Sequence, residues 1–200
     1  MSGRNGARNR AAREQALIAA ASKLFASHGF ENTTTRAIAA KAGCAEGLIH
    51  RYFRSKAGLL LAIVQCRMSQ EVCELGEKAT ARRLADEILA LVDWEIDRMW
   101  GDREFLSVVI PRALLDPTLA DPIARIGPLR RGKSLAQRLS KFQECGSLST
   151  AEREALGDFI GIMGFMFGFM RPVVLRQDRR RMRQTAAVIA GLLTRSLQPS

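Results

Sequence analysis

The stretch from Thr33 to Lys56, TTTRAIAAKAGCAEGLIHRYFRSK, constrains this chain more than any other. Two short helical patterns flank Gly43-Cys44-Ala45. The first sets Ile38, Ala39 and Ala42 on one face, and the second does the same with Ile49, Tyr52 and Phe53. Helices this short bury too little to stand alone, because isolated helices under about 12–15 residues are marginal in water. They need a third helix behind them, and residues 10–28 supply it. Three helices with a glycine-containing turn before the last have the layout of a DNA-reading helix-turn-helix.

Local signals delimit each element. Leu17, Ile18, Ala21, Leu24 and Phe25 form the apolar face of helix one, Gly29 takes the left-handed stop position, and Phe30 folds back on the last turn. Thr33 and Thr34 are both N-cap candidates for helix two, which Gly43 ends. Helix three covers about 46–53, and Ser55 then caps a long helix from Lys56 to about Leu75. Residues 1–9, rich in Gly, Asn and Arg, are expected to be a flexible basic arm, either a disordered tail or a minor-groove contact.

The rest reads as helical throughout. An amphipathic helix is expected over 82–100, with Leu84, Ile88, Leu91, Val92, Trp94, Glu95 and Met99. Residues 104–115 should end or kink at Pro111. Asp116-Pro117 and Asp121-Pro122 are helix-start signals. A helix over about 122–145, bent at Gly127-Pro128, should stop at Cys145-Gly146. Ser149-Thr150-Ala151-Glu152 is a capping box opening the next helix, whose later part, DFIGIMGFMFGFM, is apolar on every side and therefore buried all round. The last helix, capped by Asp178, runs over about 179–197 with Met182, Ala186, Ile189, Leu192, Leu193 and Leu197 on one face. The expected fold is all-α, about nine helices, with a DNA-binding part over 10–56 and a ligand-binding and dimerisation part over 57–200.

Charge narrows the partner. The net charge is +11, and residues 1–56 hold ten Lys/Arg against three Glu, so most of the excess surrounds the helix-turn-helix. Such a concentration points to a polyanion, here double-stranded DNA. No run reaches the roughly 18–20 uninterrupted apolar residues of a membrane span. The basic N-terminus is not followed by an apolar leader core. Cys44, Cys66, Cys73 and Cys145 have neither CxxC spacing nor a neighbouring His set. A cytoplasmic protein with reduced thiols, no metal, no cofactor and no membrane partner is expected.

Chemistry assigns the contacts. Thr34 and Thr35 present hydroxyls and free backbone N–H groups to a phosphate, and Arg36 reaches a phosphate or a guanine edge. Lys56 and the amides opening helix four suit a second phosphate. Ala45, Glu46 and Gly47 lie where recognition helices approach base edges, Glu46 facing a cytosine amino group and Leu48 a thymine methyl. His50, Arg51 and Tyr52 fall further along and suit backbone positioning. Ile38, Ala42, Ile49 and Phe53 are core, and Cys44 is a small apolar turn residue.

Phe30, Thr33-Thr34, Arg36, Ile38-Ala39, Ala42-Gly43, Leu48-Ile49, Tyr52-Phe53, Ser55-Lys56 and Leu59-Leu60 closely resemble the N-terminal signature of the tetracycline-repressor (TetR) family, over about 12–64. The resemblance implies a bacterial homodimeric repressor whose subunits each join three DNA-binding helices to a helical ligand-sensing domain, acting on a pseudo-palindromic operator. Where the family commonly has tyrosine, this chain has His50, whose charge varies within the physiological range.

Two further groups of residues complete the expectation. Glycine costs a helix about 1 kcal/mol against alanine, so Gly161, Gly164 and Gly168 within two turns need a close helix approach or an adjoining cavity. With Ile189, Leu192 and Leu193 of the last helix, this region resembles the family's two-helix dimer face, the alternative being a monomer core. A largely apolar effector would suit a pocket of Trp94, Met99, Trp100, Phe105, Phe165, Met166 and Phe169, oriented by Glu95, Asp97 and Arg98, although at helical spacing each apolar member is also an ordinary core residue. Cys66 belongs to the same candidate set, and its seven-residue separation from Cys73 spans about 10 Å by helical rise, too far to bridge. Both histidines, His28 and His50, fall in the basic unit, and nothing resembles a nucleophile elbow or phosphate loop, so an enzyme is not expected. A DNA-bound architectural or protein-partner module without effector is the competing reading.

Overall fold

The computed structural model describes residues 2–126 and 128–196, and every regular element among them is helical. Ten α-helices follow in order: α1 Ser2–His28, α2 Thr35–Ala42, α3 Gly47–Phe53, α4 Lys56–Glu77, α5 Leu84–Gly101, α6 Arg103–Leu115, α7 Pro117–Ile126, α8 Pro128–Leu139, α9 Thr150–Phe165 and α10 Arg179–Ser196. A 3₁₀ turn over Gln143–Ser147 precedes α9, and a π-helical segment, Met166–Val174, continues it.

Two compact units divide the chain. One contains Met1–Ser69 with Glu104–Ile123, and the other Gln70–Arg103 with Ala124–Ser200. The division falls inside α4. In the first unit Leu17, Ala21, Phe25, Ile38, Ile49, Leu59, Leu60 and Ile63 are buried. They are the residues whose helical spacing put them on inner faces. In the second, Ile88, Leu91, Val92 and Ile96 of α5 pack with Leu135, Leu139, Leu156, Ile160, Met163, Phe167, Met182, Ala186 and Ala190.

Several boundaries differ from the sequence reading. α1 is helical from Ser2, eight residues earlier than expected, over the stretch read as a flexible arm. α6 continues through Pro111, since a proline removes one N–H donor and a helix held by neighbours tolerates that loss. Pro117 opens α7 as its signal says, but Pro122 sits inside α7 rather than starting a helix. α8 ends at Leu139 instead of Cys145. The Gly127 bend and Leu197 lie outside the described residues.

The capping box forms as spelled: the Ser149 hydroxyl accepts from the Glu152 amide while Glu152 accepts from the Ser149 amide at 2.7 Å. The helix it opens is also apolar enough, with mean hydropathy 1.3 over an 18-residue window in Thr150–Val174, to match a membrane span by length and composition. Scattered charges hid that average from a search for uninterrupted apolar runs. Within the fold its glycine face packs on α5. A Cβ on Gly164 would lie 2.5 Å from the Glu95 Cβ, and one on Gly168 2.5 Å from the Ile96 carbonyl oxygen.

Those two glycines therefore allow close approach of α9 and its continuation to α5 within the subunit. Gly161 differs, since the nearest atom to a Cβ there is the Arg131 Cδ at 3.9 Å. Gly168→Ala must push against backbone and is expected to cost roughly 1–3 kcal/mol or more, as overpacked cores do. Gly161→Ala is expected to be neutral or stabilising. Thermal unfolding of the two variants checks the contrast.

Candidate DNA interface and effector cleft

Thr34 is the N-cap of α2: it is extended, and its hydroxyl oxygen accepts from the Ala37 amide at 3.1 Å. Gly43 ends the helix in the left-handed conformation at φ 63, with its amide donating back to Ala39 and Ala40 carbonyls. That turn sets the direction of α3. The Thr35 hydroxyl donates to Glu46 Oε1 at 2.5 Å, tying the start of α2 to the start of α3. Glu46 is thus tied to the start of α2 and remains exposed. Thr34, Arg36, Ala45, Glu46, Gly47, His50 and Arg51 are exposed, Thr35, Leu48 and Tyr52 half-buried, and Ile49 fully buried. One face of α3 is spent on the core and the other is free, as a reading helix requires.

His50 and Tyr52 have defined local partners. His50 Nδ1 donates to the Arg54 carbonyl at 3.3 Å. Because a carbonyl only accepts, this bond places the proton of a neutral ring on Nδ1 and leaves Nε2 as an acceptor. Only the imidazolium form offers Nε2–H to a phosphate, which separates this residue from the tyrosine the family commonly has. The Arg10 guanidinium of α1 lies 5.2 Å over the Tyr52 ring, whose edge meets Phe53 at 6.2 Å. Cys44 is half-buried rather than buried.

Lys56 departs most from its expected role. Its ammonium donates to the Phe30 carbonyl at 2.8 Å, the Thr33 carbonyl at 3.0 Å and the Glu31 carbonyl at 3.4 Å, which engages all three of its N–H groups. It also lies 4.4 Å over the Phe30 ring, and the Arg112 guanidinium of α6, paired with Glu31 at 2.6 Å, lies 4.9 Å from the same ring. Lys56 therefore clamps the connection between α1 and α2 onto the first turn of α4. Spacing could not show this, because a lysine at a helix start reaches solvent and backbone equally well. Lys56→Met keeps the stem and removes the ammonium. It is expected to cost about 1.5–3 kcal/mol, the usual value of a hydrogen-bonded charge, so DNA binding falls together with thermal stability and not by itself.

In the second unit a cleft of about 370 Å³ is lined by Met99, Arg131, Gly132, Asp158, Gly161, Ile162 and Phe165. Of the residues expected in a pocket, Met99 and Phe165 line it. Trp94 and Arg98 turn to an ion network instead, with Arg98 5.6 Å over the Trp94 ring. Asp97 pairs with Arg179 and Arg183. Phe169 is buried and stacks 5.7 Å from Phe165, while Met166 is exposed. Cys66 and Phe105 belong to the first unit, where Arg67 covers the Phe105 ring at 4.3 Å. Pattern reading missed Arg131, Gly132 and Asp158, although Gly132 carried a signal: a lone glycine in a helix suggests a close neighbour. Here that neighbour is α9: a Cβ on Gly132 would run into the Asp158 carboxylate, and one on Gly157 into the Gly132 carbonyl oxygen.

The ion network is buried beside the cleft. Glu95 is fully buried; its Oε2 accepts from Arg98 at 2.7 Å, and its Oε1 has only the Arg131 Nε at 3.6 Å. Both arginines also pair with Glu71 near the end of α4. Burial pushes the Glu71 carboxyl above the usual glutamate range, opposed by Arg98 and Arg131.

The apolar surface left outside these contacts includes Leu192 of the expected set but not Ile189 or Leu193. Ile189 and Leu193 are half-buried against the core. Ile162 at 62%, Val188 at 62% and Leu192 at 55% are exposed, and so is Met166 on the α9 continuation.

A capped α2, a tight left-handed turn and an exposed α3 in one helical unit form a helix-turn-helix, and a second helical unit holds a cleft. Residues 17–63 match the family model described as bacterial regulatory proteins, tetR family. A curated relative, the fatty acid metabolism regulator protein of Bacillus subtilis, is 33% identical over 76 residues, which is 38% of this chain and 39% of the relative. The match thus spans about two-fifths of that relative. Among solved structures, Salmonella enterica GusR is similar with TM-score 0.68 and 16% identity, over 89% of this chain and 93% of that one. The transcriptional regulator FadR of Bacillus subtilis in complex with stearoyl-CoA is similar with TM-score 0.56 and 19% identity, over 88% and 96% of the two chains.

Proposed function

We propose that this protein is a homodimeric repressor that binds a pseudo-palindromic DNA site and is released by a small, largely apolar effector. The observation that carries the reading is the outward face of α2 and α3, where Arg36, Glu46, Gly47, His50 and Arg51 stand exposed around a buried Ile49. Residues 10–56 read DNA, with Thr34, Thr35, Arg36, Arg51 and Tyr52 on the backbone and Ala45, Glu46, Gly47 and Leu48 toward base edges. Residues 57–200 hold the effector and pair two subunits, so that two recognition helices meet two half-sites. Ile162, Met166, Val188 and Leu192 support the pairing, being exposed and apolar on the continuous α9 helix and on α10.

The cleft favours an effector-responsive regulator over an architectural module, which would have a filled second core. Its volume lies within the range usual for small-molecule sites. The stearoyl-CoA in the Bacillus subtilis FadR structure supports an effector with a long apolar body.

Fluorescence anisotropy on DNA fragments selected by the protein tests this reading. The wild type should prefer them over random duplexes at moderate salt, with a steep salt dependence. Arg36→Ala is expected to lower affinity by about tenfold or more and to reduce the salt slope by about one if its contact is a phosphate. Binding without sequence preference would sink the proposal.

A further inference from the structure

Two arginines on one face of α8, Arg131 and Arg138, hold the C-terminal end of α4. Arg131 pairs with Glu71, and Arg138 donates to the Leu75 carbonyl at 2.5 Å, to Lys78 at 2.9 Å and to Ala79 at 3.0 Å. The arginines stand seven residues apart, as Glu71 and Lys78 do, so two rungs two turns apart join the helices. Toward α9 the contact is of another kind. There α8 packs backbone to backbone through Gly132 and Gly157. Long polar side chains hold α4, and close steric packing holds α9. The first kind can be exchanged for a ligand's charge, whereas the second cannot.

Arg131 is also the cation lining the cleft, among Met99, Ile162 and Phe165. Building on the effector-released reading, we infer that the cleft takes an amphipathic anion whose acidic group binds Arg131 and replaces the Glu71 carboxylate there. The ligand's apolar body lies over Met99, Ile162 and Phe165. Glu71 keeps Arg98, and Glu95 keeps its bond from Arg98 through Oε2, so each carboxylate retains one arginine when Arg131 turns to the ligand, at the cost of the longer Arg131 approach to Glu95 Oε1. The end of α4 loses one of its two rungs. Since α4 begins at Lys56, whose ammonium clamps the chain ahead of α2, the helix released at one end is the helix that orders the reader at the other. Arg131 is thus a ligand contact and Glu71 a positioning residue.

The apolar pair-mates around the site explain why a free inorganic anion is insufficient: the charge exchange at Arg131 is nearly balanced, and burial of the ligand's body makes it favourable. Asp158 at the cleft wall disfavours a second negative charge along the body, so the ligand carries its acid at one end.

The probes are decanoate, decanol and decyltrimethylammonium, used below their micelle-forming range with full-length protein on its selected DNA. Decanoate is expected to weaken DNA binding at least tenfold, with the other two far less effective. Arg131→Gln is expected to abolish the decanoate response, and Arg131→Lys, which keeps the charge, to retain part of it. Glu71→Gln, nearly isosteric with the protonated carboxyl, is expected to lower DNA affinity several-fold without probe, at temperatures where circular dichroism shows a full helical signal. A response to decyltrimethylammonium alone, or an equal decanoate response in Arg131→Gln, overturns the inference. So does the absence of any response together with Glu71→Gln affinity within twofold of wild type. Wild-type protein that binds DNA selectively in these trials leaves the repressor reading intact whichever result follows.

Discussion

A subunit carrying Val188→Glu together with Leu192→Glu is expected to remain folded, to sediment as a monomer and to lose roughly 100-fold or more of its affinity for a two-half-site operator. Both residues are more than half exposed and stand one turn apart on α10, so replacing them disturbs no core contact. Neighbouring positions on the same helix behave oppositely: Met182, Ala186 and Ala190 are buried inside the subunit. In an isologous interface each new glutamate meets its own copy near the two-fold, and like charges there leave association unfavourable. The reader is untouched, so residual binding to a single half-site should show the wild-type base preference at much lower affinity. Analytical ultracentrifugation and anisotropy on the same samples check both parts. A dimer persisting at micromolar concentration would move the interface to another surface.

Arg138→Met is expected to be the most destabilising single change in the second unit, by about 3–5 kcal/mol, the usual cost of stranding one partner of a buried ion pair. The Arg138 side chain is 8% exposed and donates through Nε to Glu87, whose side chain is 1% exposed. It also satisfies carbonyls at the end of α4 that no backbone amide reaches. Removing the guanidinium leaves Glu87 with the Ala81 amide alone and frees those carbonyls inside the fold. The melting temperature should fall by roughly 10 °C or more for a chain of this size. Adding Glu87→Leu should recover part of the loss, because a buried pair replaced by apolar groups is often neutral. A single variant within about 1 kcal/mol of wild type would show that water reaches the site and satisfies it.

How far the residues foretold this depends on the range over which each one acts. Thr34, Gly43, Ser149 and Glu152 act within four positions of themselves, and each forms the cap or stop its identity specifies. Ile38, Ile49, Leu59 and Leu60 were assignable to inner faces because helical spacing fixes which side they point to. The glycines of α9 announced a reason for their presence but not which reason. Close approach to α5 accounts for Gly164 and Gly168, and the cleft for Gly161; the choice rests on where α5 and α8 lie. Lys56, Arg131 and Arg138 were least legible. Each carries a long, rotatable stem, and any of several acceptors at the right distance would satisfy it.

Sequence alone thus determined an all-α chain, the helix-turn-helix, its caps and the basic outward face of the reader, because these follow from dihedral preferences, near-neighbour hydrogen bonds and helical period. Tertiary structure decided the rest. It turned Lys56 inward and spent Gly164 and Gly168 on α5. It gathered Glu71, Glu95, Arg98 and Arg131 beside one cleft, and it left Val188 and Leu192 outside. The physical reason is common to all of them. A buried charge or a missing Cβ is tolerated only where a particular atom from a distant part of the chain arrives, and no local pattern encodes that arrival.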